Sequence, residues 1–380
     1  MKIALHALHF AEYAARLGLA LADEGHSVLL MLGTDNSLAE LSVPLQRRLS
    51  GGADGRLSCL VFDHVPFKDL RWMARTLEIR NALLAFGPDI IHAQETYSDP
   101  GFWSLWPGSG TPRISTVHDP VPHSGADSEM PWRKRQYRRL LRQQADALIV
   151  HGQAARTELE GVLSGKPQPI YVVPHGVLGA DEGPLPAVAV VAGRMLFFGR
   201  VETYKGLAVL LQASVLLRQR GVSHELHVAG RGSDLDRHRA ELQAHPALLL
   251  DERYIPPAEL PALFSRSAIV VLPYLDATQS GVVALAYAFG KPVVATRTGS
   301  LPEVVIEGYT GRLVPPGDPE ALANVLQFLL EHPDELARLA QGAATFGEEQ
   351  LAWPRIARIT VECYHQVLGA RSTVSLAREG

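Results

Sequence analysis

Apolar runs of strand length alternate with segments of helical period along this 380-residue chain, and near its middle the alternation stops and starts again. The first unit reads as a strand over Lys2–Leu5, a helix over Ala11–Glu24, a turn at Gly25-His26 and a strand over Val28–Leu32. Further strands are predicted at Leu57–Phe62, Ile90–His92, Ile114–His118, Ala147–Val150 and Ile170–Val173, with helices over Leu70–Phe86 and Trp132–Gln144. A turn-rich joint, Pro174–Pro186, precedes the second series. Its strands are Met195–Phe198, Glu225–Ala229, Ile269–Leu272 and Pro292–Ala295. Its helices cover Leu207–Gln219, Pro257–Phe264, Gly281–Phe289, Pro302–Ile306, Pro319–Glu331 and Asp334–Phe346. Strands separated by helices pair in parallel and need cover on both faces, so the pattern specifies an α/β protein of two doubly wound, Rossmann-like domains. Such sheets bind ligands at the carboxyl ends of their strands, which makes the cleft between the domains the expected site.

Composition narrows the function classes. The chain is 47% hydrophobic and 20% charged with a formal charge of −4, so it is globular and carries no overall positive field for nucleic acid. Cys59 and Cys363 fit no metal spacing and read as core residues of a reducing compartment. The apolar N-terminus is interrupted by His6, His9, Glu12 and Arg16 before it reaches signal-peptide or spanning length, which points to a cytosolic protein.

Chemistry concentrates in the second half. In Thr278-Gln279-Ser280-Gly281-Val282 small residues stand where a strand and turn hand over to a helix. Free amides at a helix start attract phosphate, and Gly281 lets an anion approach; the plainer reading is that Ser280 only caps the helix. Arg200 follows a strand and a Gly turn, and Lys205-Gly206 precedes the next helix. A planar guanidinium fork and a compact ammonium together suit a diphosphate, although an Arg and a Lys beside a turn are also ordinary surface residues. His118, at a strand's carboxyl end before Asp119-Pro120, is a candidate active-site side chain, with a turn cap as its alternative. His92, His151 and His175 sit beside strands or Gly turns where ordinary hydrogen bonding accounts for them. In the basic stretch 133–142, Arg135, Arg138, Arg139 and Arg142 share a helical face that would suit an anionic membrane, or simply a solvated surface. Gly230-Arg231-Gly232 lacks the third glycine of a dinucleotide fingerprint, so a dehydrogenase is not indicated.

Read in order, Phe198-Gly199-Arg200 through Lys205-Gly206-Leu207, Val228-Ala229-Gly230, Tyr254-Ile255-Pro256, Leu272-Pro273, Gly290-Lys291-Pro292-Val293-Val294, the GSLPE run from Gly299 to Glu303 and Glu307-Gly308-Tyr309-Thr310-Gly311 resemble the retaining GT-B glycosyltransferases of family 4, the glycosyl transferases group 1. Fainter likeness runs through Gly25-His26-Ser27-Val28, Pro88–Ala93, Val117-His118-Asp119 and Pro174-His175-Gly176-Val177. The resemblance implies a GT-B fold with an acceptor-side domain over residues 1–178 and a nucleotide-sugar domain over 187–350, and a C-terminal helix near 353–370 that returns to the first. It implies transfer of a hexose-type sugar from a UDP- or GDP-sugar to a glycan, lipid-linked or small-molecule acceptor, without a cofactor or metal. The diphosphate would lie on Arg200, Lys205 and the amides of Ser280, Gly281 and Val282, the base near Tyr254 and Ile255, and His118 beside the reacting centre. His9, Asp119, His123, Asp276, Thr278, Gln279 and Glu303 are candidates for donor-sugar or acceptor contacts.

Two departures stand out. The places of the family's two glutamates fall at Ala277 and Leu285, which accept no side-chain hydrogen bond. The first loop, His6-Ala7-Leu8-His9-Phe10, has no glycine pair, leaving His9 to donate there. Two other classes share the architecture: a sugar-nucleotide epimerase, which needs no acceptor, and a non-catalytic descendant, which would have lost nucleotide affinity.

Overall fold

A computed structural model describes residues 1–34, 40–63, 65, 69, 71–95, 110–122, 131–163, 168–179 and 188–379. His123 lies outside these. The first series forms seven strands, β1 (Lys2–Ala7), β2 (Ser27–Gly33), β3 (Leu57–Phe62), β4 (Ile90–Gln94), β5 (Arg113–Thr116), β6 (Ala147–Val150) and β7 (Ile170–Val172). They lie in one sheet in the order β3-β2-β1-β4-β5-β6-β7, and every pairing is parallel. The second sheet holds β8 (Arg194–Phe198), β9 (Glu225–Ala229), β10 (Leu248–Asp251), β11 (Ile269–Leu272), β12 (Val293–Thr296) and β13 (Gly311–Val314). Its order, β10-β9-β8-β11-β12-β13, repeats the same doubly wound scheme in parallel strands. Each sheet reverses its winding beside its first strand, at β1/β4 and β8/β11, where the loops after the strands part and leave a crevice.

The helices of the first half are α1 (Ala11–Asp23), α2 (Val43–Ser50), α3 (Arg71–Phe86), α4 (Trp132–Gln144) and α5 (Gln153–Val162). Those of the second are α6 (Leu207–Gln219), α7 (Ser233–Arg237), α8 (Arg239–Ala244), α9 (Leu260–Arg266), α10 (Gly281–Ala288), α11 (Leu301–Val304), α12 (Pro319–Glu331), α13 (Pro333–Gln350) and α14 (Trp353–Glu379). Strands β10 and β13 and helices α2, α5, α7 and α8 were not expected from the sequence. The strand expected to reach His118 ends at Thr116, which puts His118 on the following loop.

The terminal helix crosses back: Ile356, Ala357, Tyr364 and Val367 of α14 are buried in one cluster with Ile3 and Leu5 of β1 and Leu17 of α1. Trp353 donates its indole N–H to the Val177 carbonyl at 2.7 Å, pinning the helix to the segment that joins the two halves. Cys363 is buried there, but Cys59, expected in a core, is exposed on the edge strand β3, whose outer face has little to cover it.

His92 links the returning helix to the sheet. Its Nδ1 is 2.7 Å from the Tyr364 hydroxyl and its Nε2 is 2.6 Å from the Thr116 hydroxyl. Burial pushes its pKa down from 6.5 to about 3. The unfolded chain therefore takes the proton first, so the contribution of neutral His92 is whole above about pH 6.5 and shrinks as the pH falls toward the folded value. At about 1.4 kcal/mol per pH unit, stability should drop by roughly 2 kcal/mol between pH 6.5 and 5 on account of this residue. Urea midpoints at the two pH values should diverge less in His92→Gln than in wild type; an unchanged gap would remove His92 as the cause.

Candidate active site

The central cavity has a volume of about 360 Å³ and is walled by Arg200, Lys205, Gln279, Ser280, Gly281 and Val282 from the second half, and by Phe10, Glu12 and Asp119 from the first. The local sequence explains the placement. Strand β8 ends in Phe197-Phe198, and Gly199 (φ 113°) turns the chain so that Arg200 leaves the sheet at its carboxyl end. A single turn over Thr203–Lys205 then closes at Gly206, which is left-handed at φ 73°. A Cβ at Gly206 would lie 2.0 Å from the Pro273 carbonyl oxygen, so only glycine lets this turn lie against the end of β11.

Lys205 is buried, and its Nζ donates to the Tyr274 hydroxyl at 2.8 Å while lying 4.4 Å from the centre of that ring. Arg200 is exposed and reaches the Tyr204 hydroxyl at 3.4 Å. Opposite them, Ser280 is extended (φ −141°, ψ 109°) and its side chain does not cap α10. That excludes the plain capping role and leaves the first amides of a helix facing the same cavity as the two cations.

The other candidates divide. Asp119 lines the cavity and accepts from the buried Thr278 hydroxyl at 3.1 Å, a bond between the two halves of the chain. Gln279 lines it as well. Tyr254 is exposed beneath the Arg231 guanidinium, and Ile255 is buried. Partial burial, then the Glu40 and Glu12 carboxylates of the first half, raise the Tyr254 phenol above its usual range. His9 is exposed and Asp276 half-buried, both off the cavity wall. Glu303 serves elsewhere: its carboxylate accepts from the backbone of Gln153 at 2.6 Å and Ala154 at 2.8 Å, closing the N-terminus of α5 from the opposite half.

Ala277 and Leu285 form apolar wall. The carboxylates in that wall come instead from the first half, Glu12 and Asp119. Glu12 Oε1 accepts from Arg16 Nε at 2.8 Å and from the Gly179 amide at 2.7 Å, which holds it in place. Nothing in the sequence marks Glu12, because it stands on an ordinary helical period.

His118 is 3% exposed and turns both nitrogens inward, Nε2 to Gln94 Oε1 at 2.8 Å and Nδ1 to His151 Nε2 at 3.1 Å. The Phe10 ring covers it, with centroids 3.7 Å apart and planes 16° from parallel. Burial, and then the neighbouring His151, His175 and His92, hold its pKa well below the usual value. His118 therefore offers the cleft no free nitrogen. Phe10 itself is left-handed (φ 62°, ψ 41°), a conformation that strains any residue with a Cβ. Phe10→Ala keeps the strain and loses the stack, whereas Phe10→Gly loses the stack and the strain together. The glycine variant should melt as the more stable of the two by about 1 kcal/mol; the reverse order would show that the backbone there is relaxed.

The basic stretch on α4 is also resolved. Arg138 and Arg142 are buried around Glu95, with Arg142 Nε–Oε1 at 2.6 Å and Arg138 Nη2–Oε2 at 3.0 Å. They also donate to the backbone carbonyls of Asp119 and Pro120. Of the four arginines expected on an outer face, only Arg135 and Arg139 face out, since the other two neutralise a carboxylate beneath the site. Among the described residues no helix is long and apolar enough to cross a membrane.

Two facing doubly wound domains with a cation-lined cleft define the GT-B class of architecture. Comparison with known proteins agrees: glycosyl transferases group 1 match residues 192–332, and glycosyltransferase family 4 matches residues 11–177. The D-inositol 3-phosphate glycosyltransferase of Corynebacterium urealyticum is 32% identical over 330 residues, 77% of this chain and 73% of that protein. Its counterpart in Salinispora arenicola is 28% identical, covering 83% and 77%. Among solved structures, the sucrose-phosphate synthase of Thermosynechococcus elongatus superposes with a TM-score of 0.74 at 19% identity, over 97% of this chain and all of that one. Anabaena HepE in complex with UDP gives 0.67 at 17%, over 96% of this chain and all of its own. The chain belongs to glycosyltransferase family 4, and it is a glycosyltransferase.

Proposed function

We propose that this chain moves a hexose-type sugar, with retention of the anomeric configuration, from a nucleoside-diphosphate sugar to a hydroxyl of a saccharide or phosphorylated polyol. The observation that carries the reading is the convergence of Arg200, Lys205 and the start of α10 on one cavity. Negative charge grows on the leaving diphosphate as the glycosidic bond breaks. Two cations and a helix N-terminus already in place stabilise that charge without reorganisation, which lowers the barrier selectively. These groups take the place a metal would occupy at the diphosphate. Glu12 supplies the acceptor for nucleotide or sugar hydroxyls that Ala277 and Leu285 lack, and the acceptor substrate enters past Asp119. Uridine is the favoured base, by likeness to HepE, which has been solved with UDP and with UDP-glucose.

Thermal melting against UDP, GDP, ADP and their sugars tests the donor, because a ligand that binds only the folded state raises the midpoint. UDP should raise it by more than GDP or ADP, and release of UDP from UDP-glucose should quicken when D-inositol 3-phosphate is added as probe acceptor. Interconversion of the free sugar nucleotide without acceptor would establish an epimerase instead, and no shift with any nucleotide would leave a non-catalytic descendant.

A further inference from the structure

Beneath the cavity, His118, His151 and His175 stand at the carboxyl ends of three adjacent strands, β5, β6 and β7, all of them buried. One ring nitrogen from each lies within 4.8 Å of the others. We propose that these three imidazoles form a site for a divalent transition-metal ion of the zinc class, separate from the cations that hold the diphosphate.

The hydrogen-bond pattern carries the inference. His151 Nδ1 lies 2.9 Å from the Val173 carbonyl, which only accepts, so that nitrogen bears the hydrogen. His118 Nε2 lies 2.8 Å from the Gln94 side-chain oxygen and, with the amide in that orientation, bears one as well. In neutral rings the remaining nitrogens, His118 Nδ1 and His151 Nε2, then point bare lone pairs at each other across 3.1 Å. A cation between them removes the repulsion. All three rings are buried, where an added proton would be a charge taken out of water. A metal ion, by contrast, requires neutral imidazoles, and ligating histidines characteristically give their other N–H to a carbonyl or side-chain oxygen. Turning the Gln94 amide so that it donates to His118 is the metal-free alternative.

Distances and surroundings fit. With metal–nitrogen bonds of about 2.0–2.1 Å, tetrahedral ligands stand roughly 3.3 Å apart, so the 118–151 pair at 3.1 Å is already in place and the His175 ring has at most about 1.5 Å to travel. A small cavity next to His151 and His175 is lined by Gln279 and Ser300. The buried Gln279 Oε1 and Ser300 Oγ have no hydrogen-bond partner. They are oxygen donors for a fourth position, directly or through water. The ion would tie three strand ends to the loop that begins α10.

The test uses the full chain without a polyhistidine tag, stripped by chelator and titrated with Co²⁺. One equivalent should bind with the visible d–d absorption of a four-coordinate site, and Zn²⁺ should displace it. In His151→Ala and His175→Ala the affinity should fall at least 30-fold, and the rise in melting midpoint that Zn²⁺ gives wild type should disappear. Folded wild type that shows no such absorption overturns the proposal, as does Co²⁺ binding of equal strength in both variants, which would place the ion elsewhere. Should a variant fail to fold, the wild-type spectrum and stoichiometry decide alone.

Discussion

Lys205→Ala should lower kcat/KM by roughly 30- to 1,000-fold, about 2–4 kcal/mol of transition-state stabilisation, while leaving the melting midpoint unchanged or raised. The two halves of this expectation share one cause. The ammonium is 9% exposed and is met by phenol rings, with Tyr274 at 4.4 Å and Tyr204 at 5.7 Å from ring centre to Nζ. Such a charge is costly to bury and is kept where an anion will later complete it. Deleting it relieves the folded state and removes a donor the leaving group needs. Lys205→Arg should recover little, because a longer planar fork does not fit a slot shaped for a point charge. Arg200→Ala should fall in the same range of lost activity. Parallel losses of activity and folding would instead make Lys205 a structural residue.

Glu95→Ala should destabilise the protein by about 3–5 kcal/mol, the usual consequence of leaving a buried charge without its partner. Here the orphans are two guanidinium groups, those of Arg138 and Arg142, each less than a tenth exposed. The same pair holds the carbonyls of Asp119 and Pro120, so loosening it should also free the turn that bonds Thr278 across the cleft. Replacing all three together, Glu95→Met with Arg138→Met and Arg142→Leu, should restore most of the stability and not the activity. Chemical denaturation of the single and triple variants checks both statements. A single variant as stable as wild type would mean that water reaches the arginines.

How much was legible beforehand follows from what each element must satisfy by itself. Strands β3, β6, β9 and β11 and helices α4, α6 and α12 begin and end at the residues expected, because a strand-length run or a segment of helical period bounded by Gly, Pro or polar residues suffices to mark them. Strands β10 and β13 escaped notice although the edges β3 and β7 did not: each is only four residues long, and Asp251 in one and Gly311 and Arg312 in the other cut the apolar run short. In the site, Arg200, Lys205 and Ser280–Val282 could be singled out because strand ends and helix starts are placed by local pattern. Partners drawn from other elements could not. Glu12 reaches the cavity from α1, Glu303 caps α5 from the opposite half, and the three histidines meet only because β5, β6 and β7 are neighbours in the sheet. The inward turn of Arg138 and Arg142 depends on Glu95, which follows β4 far away in sequence, so the helical period alone assigned them to solvent.

Calorimetric titration of UDP and uridine into wild type, Arg200→Ala and Lys205→Ala measures the diphosphate contact most directly. Wild type should bind UDP at least 100-fold more tightly than uridine, and each variant should lose at least tenfold in UDP affinity with uridine binding unchanged, about 1.4 kcal/mol or more per cation. Equal UDP affinity in all three proteins would contradict the placement of the diphosphate between Arg200, Lys205 and the first turn of α10.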